Sequence, residues 1–404
     1  MQGGEDRLEL TLGVLWSETC WNSWKLIDKA KEAAQELGTG QLVQFQGLGF
    51  VVEPRGRASY TWILGYGGVT FFLNRSKEPA GEYGNARAEI GSMALMQYGP
   101  ERCMKVVRLF LKRLGGVVVW DKLSRVDACV DVVGDDCLSL VQAYLEKRRV
   151  CRARQFHVFY EDTKTGVRAN GIMIGRGDIT CRIYDKVREL EVHRNGAGEK
   201  RDWLVQHRWG GEQPRNAWRI EFQVRTLPLR ELGVTSFDDW ISKRAQVVQY
   251  LCNDWLRFTD ERPTGGNQKR EPLSALWQAV CEAFVSWAGL PMQAIKRAYR
   301  VACAAKVDLD RRVKTAVSCL IGVGVEETGG RVSPCGIDSV VLQLVEMAMG
   351  RYNYAEAWVK AQKKQSKRGF GLPRCFGQLE FSPDIPPGGQ ASWLANFQED
   401  TIPF

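Results

Sequence analysis

The chain has 404 residues, of which 44% are hydrophobic and 25% are charged. At about 150 residues per domain, this length predicts two or three domains, each able to bury a core. The sequence has no run of about 20 apolar residues and no basic N-terminal segment followed by an apolar stretch, so we expect a cytoplasmic protein without a membrane span or a signal peptide.

Charge and reactive residues narrow the range of functions. A formal net charge of +9 favours a polyanionic partner, and some of the 14 Trp residues would suit stacking on unpaired bases. The 12 Cys residues are spread singly, which favours reduced core residues over disulfides or a zinc site. With only 3 His residues, a His-based metal site or a Ser-His-Asp triad is not expected. Carboxylates would hold any metal, which favours Mg²⁺ or Mn²⁺.

The N-terminal part of the chain alternates strand and helix patterns. A strand over 7–16 precedes a helix over 21–37, and three short alternating runs over 41–74 predict an antiparallel meander. Further patterns predict a strand at 86–91, a helix at 100–114, a strand at 123–133, a helix at 138–149 and a strand at 154–160.

Residues 171–187 predict two short strands joined by a tight turn. The segment 191–216 lacks periodicity, so we expect an insertion or an exposed connection there. A strand over 217–226 and a helix over 236–258, capped by Ser236, follow.

Linker composition at 259–271 predicts a domain boundary. We expect an α+β domain at 1–260, with a central antiparallel sheet and flanking helices. An all-α domain is expected at 272–368, and a Pro/Gly-rich, partly disordered acidic tail at 369–404.

Three of the predicted strands carry ionisable residues that packing alone does not require. In the first strand Arg125, Asp127 and Asp131 share a face, because strand side chains alternate with a period of 2. The alternate residues make the other face apolar, and they are Val126, Ala128, Val130 and Val132. Two acids in so apolar a strand are unfavourable unless they are paired or bind a metal.

The other two strands repeat this pattern. Arg219, Glu221 and Arg225 share one face of a strand, and Arg182, Tyr184 and Lys186 share one face of another. If the three strands lie in one sheet, the pooled residues fit metal-assisted attack on a phosphodiester. A solvated face with a structural Tyr is the open alternative for the Tyr184 strand taken alone.

In order and spacing these motifs resemble the replication initiation factor family of the Rep_trans type, which comprises rolling-circle initiators of plasmids and filamentous phages and relaxases of conjugative elements. The hallmarks are an R-x-D-x-x-x-D strand, a Y/M-I-G-x-R hairpin entering R-I/V-Y-x-K, and a later R-x-E strand. The matching segments are Arg125 to Asp131, Met173 to Arg176 followed by Arg182 to Lys186, and Arg219 to Glu221. The resemblance covers roughly 40–235.

The resemblance implies a sheet like that of the HUH endonucleases, without their His pair, and an enzyme that nicks one strand of origin DNA. Tyr184 would form a 5′-phosphotyrosyl link and leave a 3′-OH primer, while Lys186 and Arg182 steady the phosphate charge. It also implies Mg²⁺ or Mn²⁺ held by Asp127, Asp131 and Glu221, and DNA contacts by Arg125, Arg176, Arg219 and Arg225.

The expected partner is origin DNA, either single-stranded or as extruded or supercoiled duplex. A host helicase and a second copy of the chain are further candidates for the C-terminal region. Two alternatives stay open: a non-catalytic DNA-binding regulator, against which the acids argue because they repel DNA, and a metal-dependent nuclease in which water attacks. Tyr160 is a weaker candidate nucleophile than Tyr184, because it lacks flanking cations.

Overall fold

In a computed structural model the described residues are 1–163, 166–192, 197–264, 271–291 and 293–298. The chain divides into two compact units, Met1–Tyr299 and Arg300–Phe404, and the described residues belong to the first. They form thirteen strands and eight α-helices. The strands are β1 (Gln2–Trp16), β2 (Gln41–Phe45), β3 (Leu48–Val52), β4 (Trp62–Tyr66), β5 (Val69–Leu73), β6 (Ala86–Ile90), β7 (Gly116–Val133), β8 (Arg149–Cys151), β9 (Phe156–Thr163), β10 (Gly166–Ile174), β11 (Ile179–Asp185), β12 (Ala217–Arg225) and β13 (Leu256–Phe258). The helices are α1 (Cys20–Leu37), α2 (Ser92–Arg113), α3 (Leu138–Leu145), α4 (Lys186–Val192), α5 (Ala197–His207), α6 (Thr226–Glu231), α7 (Phe237–Tyr250) and α8 (Ala275–Ala288).

Eleven strands form one sheet in the order β2-β3-β4-β5-β6-β1-β7-β12-β11-β10-β9. Every neighbouring pair in it is antiparallel. The predicted α+β class with a large antiparallel sheet and helices is therefore confirmed. The antiparallel meander expected over 41–74 is also confirmed, with four strands (β2 to β5) where three runs were predicted. Its two tight turns use Gly47 and Gly68 at φ 76° and 75°, in the left-handed region that favours glycine.

The long strands β1 and β7 form the middle of the sheet. Their pairing shifts register between Glu5 and Arg7, which leaves Asp6 as an extra residue in a β-bulge. On one side of the sheet, alternate residues of β7, β12 and β11 are buried in the main core, as the period-2 pattern predicted. Helix α8 closes part of that side, where its Phe284 ring lies 5.9 Å from the ring of Phe222.

Several helix bounds differ from the predictions for identifiable reasons. Helix α2 starts at Ser92 and kinks at Gly99, ahead of Pro100, whereas the prediction began its helix at 100. Helix α3 ends at Leu145, before Lys147 takes a positive φ of 64°.

The capping box between Ser236 and Asp239 is confirmed. Helix α7 stops at Tyr250, however, and a π-helical turn, Leu251–Trp255, leads into β13 instead of continuing to 258.

The segment 191–216 is also more ordered than expected. It contains α5, and Leu204 and Trp209 are buried in a small separate apolar cluster with Leu190. The sequence did not predict this helix because its few apolar residues form no continuous stripe at helical spacing. They pack against α4 and β12 instead.

The predicted all-α domain at 272–368 begins within the first compact unit, where α8 packs on the sheet. The part of that domain beyond residue 298 and the predicted tail at 369–404 lie outside the described residues, and that division stays a prediction. Within the described part of the chain, no helix is both long enough and apolar enough to cross a bilayer.

Candidate active site

Antiparallel pairing places the three strands that carry the motifs side by side as β7, β12 and β11. Tyr184 lies opposite Arg219, which lies opposite Asp131, and Arg182 lies opposite Glu221. Because the alternate residues of each strand are in the main core, these five side chains project from the other side of the sheet. The predicted shared face is confirmed, and we call this side of β7, β12 and β11 the ionic face.

Tyr184 and Glu221 form a hydrogen-bonded pair on the ionic face. The Tyr184 hydroxyl donates to Oε2 of Glu221 at 3.0 Å, and Nη1 of Arg182 donates to Oε1 at 3.3 Å. Burial raises the pKa of Glu221 to about 7, and the Asp6 and Asp127 carboxylates add to the rise. Burial, together with Glu221, raises the pKa of Tyr184 well above its ordinary value. Near neutral pH the phenol therefore keeps its proton, while Glu221 is poised to accept one.

Arg219 is fully buried in the ionic face and binds two carboxylates. Its Nε and Nη2 contact the oxygens of Asp131 at 2.6 and 2.9 Å, and its Nη1 contacts Asp6 at 2.5 Å. Arg208 lies 3.1 Å from the same Asp131 carboxylate. Although burial opposes ionisation, Arg219 and Arg208 hold the pKa of Asp131 below its ordinary value. Asp131 is thus an ionised carboxylate neutralised by two arginines.

Asp127 is paired with Arg125, which lies on the same strand. Nε and Nη2 of Arg125 contact its two oxygens at 2.8 and 2.5 Å, which is the strong bidentate geometry of a guanidinium–carboxylate pair. Arg125 also lies 3.3 Å from Glu9 of β1. Burial raises the pKa of Asp127, and Arg125 opposes that rise. This pair extends the ionic face towards β1.

Lys186 is the first residue of α4 rather than a strand residue, because β11 ends one residue earlier. Its side chain still reaches the site, with Nζ 5.4 Å from the centroid of the Tyr184 ring and 2.7 Å from Glu189. Lys186 is only 1% exposed, and burial, with the positive charges of Arg219 and Lys200, lowers its pKa to about 8. A buried ammonium group therefore lies beside the phenol.

The four arginines expected to contact DNA lie in different environments. Arg219 is buried in its carboxylate pairs, and the Arg125 side chain is only 17% exposed in its own pair. Arg225 is exposed at the end of β12. Arg176 is exposed in the β10–β11 turn, where it lines a cavity of about 300 Å³ together with Arg154. Of the four, Arg176 and Arg225 are open to a ligand, and their DNA contacts stay a prediction.

The carboxylates predicted to bind a metal are engaged individually. Among the described residues, no group of three or more His, Cys, Asp or Glu side chains is placed to hold a metal ion. Asp127, Asp131 and Glu221 each already accept a bond from an arginine. This arrangement does not fit a divalent cation shared by all three carboxylates, and the Mg²⁺ or Mn²⁺ site stays a prediction.

Sequence patterns missed three residues that complete the ionic face: Asp6, Lys200 and Arg208. Lys200 of α5 lies 3.9 Å from Asp6, and Arg208 follows the same helix. Asp6 and Arg219 are separated by 213 positions in the chain, so no local pattern could join them. Gly4 leaves room for Arg208, because an added Cβ there would lie 3.1 Å from its guanidinium.

No protein-family model matches the chain, and no curated protein matches it. Among solved structures it is similar to a rolling circle replication initiator protein from Geobacillus stearothermophilus, with 14% identity and a TM-score of 0.40. The similarity covers 72% of this chain and 98% of that chain. At this identity and TM-score, the likeness establishes neither a family nor an activity for the present chain.

Proposed function

We propose that this protein nicks one strand of origin DNA and stays joined to it, as an initiator of rolling-circle replication or of strand transfer. The observation that carries the proposal is the hydrogen bond from Tyr184 to Glu221 on a face lined with cations. The motif resemblance over roughly 40–235 assigns the same Tyr as the nucleophile. Tyr160 does not compete for that role, because it lies on β9 with its side chain on the opposite side of the sheet.

The reaction is a transesterification at phosphorus. Oη of Tyr184 attacks the scissile phosphate, the O–P bond to the tyrosine forms, and the bond from phosphorus to the 3′ oxygen breaks. The phenolic proton passes to Glu221, and the departing 3′ oxygen takes a proton to become the 3′-OH. One phosphodiester replaces another, so the step consumes no water and no nucleotide cofactor, and its reversal rejoins the strand.

Cations beside the phenol offset the charge that develops during attack. Lys186 is buried near the Tyr184 ring and carries its proton below about pH 8. Arg182 is 38% exposed in its side chain and lies against Glu221, so it can contact both the base and an incoming phosphate. Arg219 is bound on two sides by carboxylates, so we assign it to positioning the ionic face rather than to contact with DNA.

A test uses the purified chain and a library of single-stranded oligonucleotides of random sequence, with Mg²⁺ or Mn²⁺ and, in parallel, with EDTA. We expect a protein–DNA adduct that survives denaturation and disappears in Tyr184→Phe. The matched control is Tyr160→Phe, which removes a hydroxyl from an exposed tyrosine on the other side of the sheet and should leave the adduct unchanged. Sequencing of the linked DNA maps the cleavage site.

Each other outcome points to a different function. Cleavage without an adduct favours a nuclease in which water attacks. DNA binding without cleavage favours a non-catalytic regulator and contradicts the proposal. Adduct formation that persists in EDTA removes the predicted metal requirement.

A further inference from the structure

The ionic face ends at β11, and a strip of a different character lies next to it on the two edge strands. In register, Met173 of β10 lies opposite Arg182 and His157 of β9 lies opposite Met173. Two residues earlier on β10, on the same side of the sheet, Gly171 lies opposite Tyr184 and Phe159 lies opposite Gly171. We call His157, Phe159, Gly171 and Met173 the edge strip.

Alternation settles which side of the sheet the edge strip occupies. Val158 packs against the main core, and Ile172 and Ile174 are part of it. Their neighbours Phe159 and Met173 therefore project from the opposite side, which is the side of Tyr184. The edge strip thus continues the ionic face beyond β11.

The edge strip is apolar but does not belong to a core. Phe159 and Met173 are half-buried, His157 is exposed, and in the described part of the chain neither Phe159 nor Met173 packs in either apolar cluster. The rings of His157 and Phe159 meet edge to face, with centroids 5.2 Å apart and planes at 72°. Two aromatic rings in mutual contact on this side of an edge strand form a platform that no helix or strand of the described residues covers.

Gly171 keeps the space between that platform and Tyr184 free of side chains. A Cβ at this position would lie 2.6 Å from the Ile183 carbonyl oxygen and 3.1 Å from Cα of Tyr184. With neighbouring strands about 4.8 Å apart, the backbones of Phe159 and Tyr184 are separated by about 10 Å across the glycine. The Tyr184 hydroxyl reaches away from β10, towards Glu221 of β12. A single strand that has its scissile phosphate at this hydroxyl and crosses β10 therefore carries a nearby base to Phe159.

From this juxtaposition we infer that the edge strip is a stacking subsite for unpaired bases of the DNA strand next to the scissile phosphate. The inference rests on the proposed function and adds to it the residues that hold the substrate. Stacking requires bases that are not paired, and aromatic platforms bind single strands of any sequence because every base has a π face. Arg182 at the border of the strip supplies the complementary charge for the backbone. Glu161, further along β9, is bound by Arg188 at 3.0 Å, so its charge is offset.

Fluorescence anisotropy with labelled oligo(dT) of about 16 nucleotides, a length that covers typical single-strand site sizes, tests the inference on the full chain. Phe159→Ala should weaken binding by about 5- to 160-fold, the range that corresponds to the loss of one stacked base. Tyr160→Ala is the matched control, since it removes an exposed ring from the same strand on the other side of the sheet, and it should change affinity by no more than about 2-fold.

Two further readouts separate stacking from a general loss of structure. An abasic oligonucleotide of the same length offers no base, so wild type and Phe159→Ala should bind it equally. The dependence of affinity on salt should be unchanged in Phe159→Ala, whereas Arg182→Ala should lower its slope by about 1.

The inference would be overturned if wild type and Phe159→Ala bound oligo(dT) with equal affinity, or if Phe159→Ala and Tyr160→Ala lost affinity equally. It would also be overturned if wild type did not bind oligo(dT) or preferred duplex DNA to it. If Phe159→Ala binds as expected but wild type forms no covalent adduct, the subsite stands and the proposed nicking activity falls.

Discussion

The two faces of β7, β12 and β11 are built from alternating residues of the same three strands, yet they differ in almost every physical respect. One face buries the apolar side chains of Val130, Ile220 and Ile183, which lie opposite one another on the three strands. Their sequence neighbours Asp131, Arg219 and Tyr184 project from the other face, where they lie opposite one another on the three adjacent strands. A strand pair does not need buried charges for its stability, since apolar residues of similar volume often serve as well or better. The apolar face thus accounts for the packing of these strands, whereas the ionic face is the part of the sheet to which the proposed chemistry is assigned.

The difference also explains why the ionic face is arranged in pairs. Arg125, Arg182 and Arg219 each contact at least one carboxylate, so their charges are paired. Glu221 departs furthest from this rule, because its nearest hydrogen-bond donor is the neutral Tyr184 hydroxyl. Burial, with the Asp6 and Asp127 carboxylates, raises the pKa of Glu221 to about 7, and in the proposed mechanism Glu221 is therefore the group that takes the proton.

The largest effect is expected when the base is removed and its shape is kept. Glu221→Gln retains an acceptor for the Tyr184 hydroxyl but cannot take up a proton, so adduct formation should slow by about 100- to 10,000-fold. The rate is measured by single-turnover denaturing gel assays. Glu161→Gln on β9 serves as the control, because Glu161 pairs with Arg188 and not with Tyr184. A Glu221→Gln rate within error of wild type would remove Glu221 from the mechanism.

Breaking the ionic face should destabilise the protein more than trimming the apolar face. Arg219→Met leaves the Asp131 and Asp6 carboxylates without their main partner, and we expect a loss of about 3–5 kcal/mol in the free energy of unfolding. Ile220→Val, the adjacent residue on the apolar face, should cost about 1 kcal/mol. Urea denaturation compares the two variants. Equal losses would mean that the ion pairs contribute no more than ordinary packing.

A side chain at Gly171 should disturb the approach of β10 to β11. The Cβ of Gly171→Ala would meet the Ile183 carbonyl oxygen at 2.6 Å, so the strands must shift, at about 1–3 kcal/mol of unfolding free energy. Because Tyr184 lies directly opposite, adduct formation should fall more than DNA binding does. Gly166→Ala at the exposed start of β10 is a contrasting variant, because its φ of 128° strains the backbone while an added Cβ would meet nothing within 4 Å. Full activity in Gly171→Ala would show that this close approach is not needed.

The smallest expected effect is a change in pH dependence at Lys186. Because burial lowers this pKa, the ammonium form is present below about pH 8 and is lost as the pH rises through that value. Adduct formation should therefore decline above about pH 8 in the wild type. Lys186→Arg keeps its charge at higher pH, so the decline should be absent, even if the absolute rate is lower. The same alkaline decline in both proteins would assign it to another group.

Much of the ionic face could be predicted from sequence because it follows from strand periodicity. Alternating apolar residues from Val126 to Val132 fix which way Asp127 and Asp131 point, and the same reasoning applies to Glu221 and Tyr184. The pairing order of the strands could not be derived in this way, and the common face depends on it. The common face was expected on the condition that the three strands lie in one sheet, and the register of β7, β12 and β11 confirms it, whereas their order was not predicted.

The parts that sequence missed depend on contacts between distant segments. Asp6 occupies a bulge in a strand predicted to begin at residue 7, and a bulge has no hydrophobic signature. Arg208 follows α5, in a stretch expected to be an exposed connection. The ion pairs of Asp131 with Arg219 and of Glu221 with Arg182 are likewise contacts between strands, and they change how those two carboxylates can be used.

The central claim is that Tyr184 becomes covalently joined to DNA, and peptide mapping of the adduct tests it most directly. Trypsin cuts after Arg182 and Lys186, which isolates a peptide over 183–186 that contains Tyr184 and no other tyrosine. After nuclease trimming, mass spectrometry should find a nucleotide attached through phosphate to this peptide. A nucleotide on any other peptide, or strand cleavage with no modified peptide, would contradict the claim.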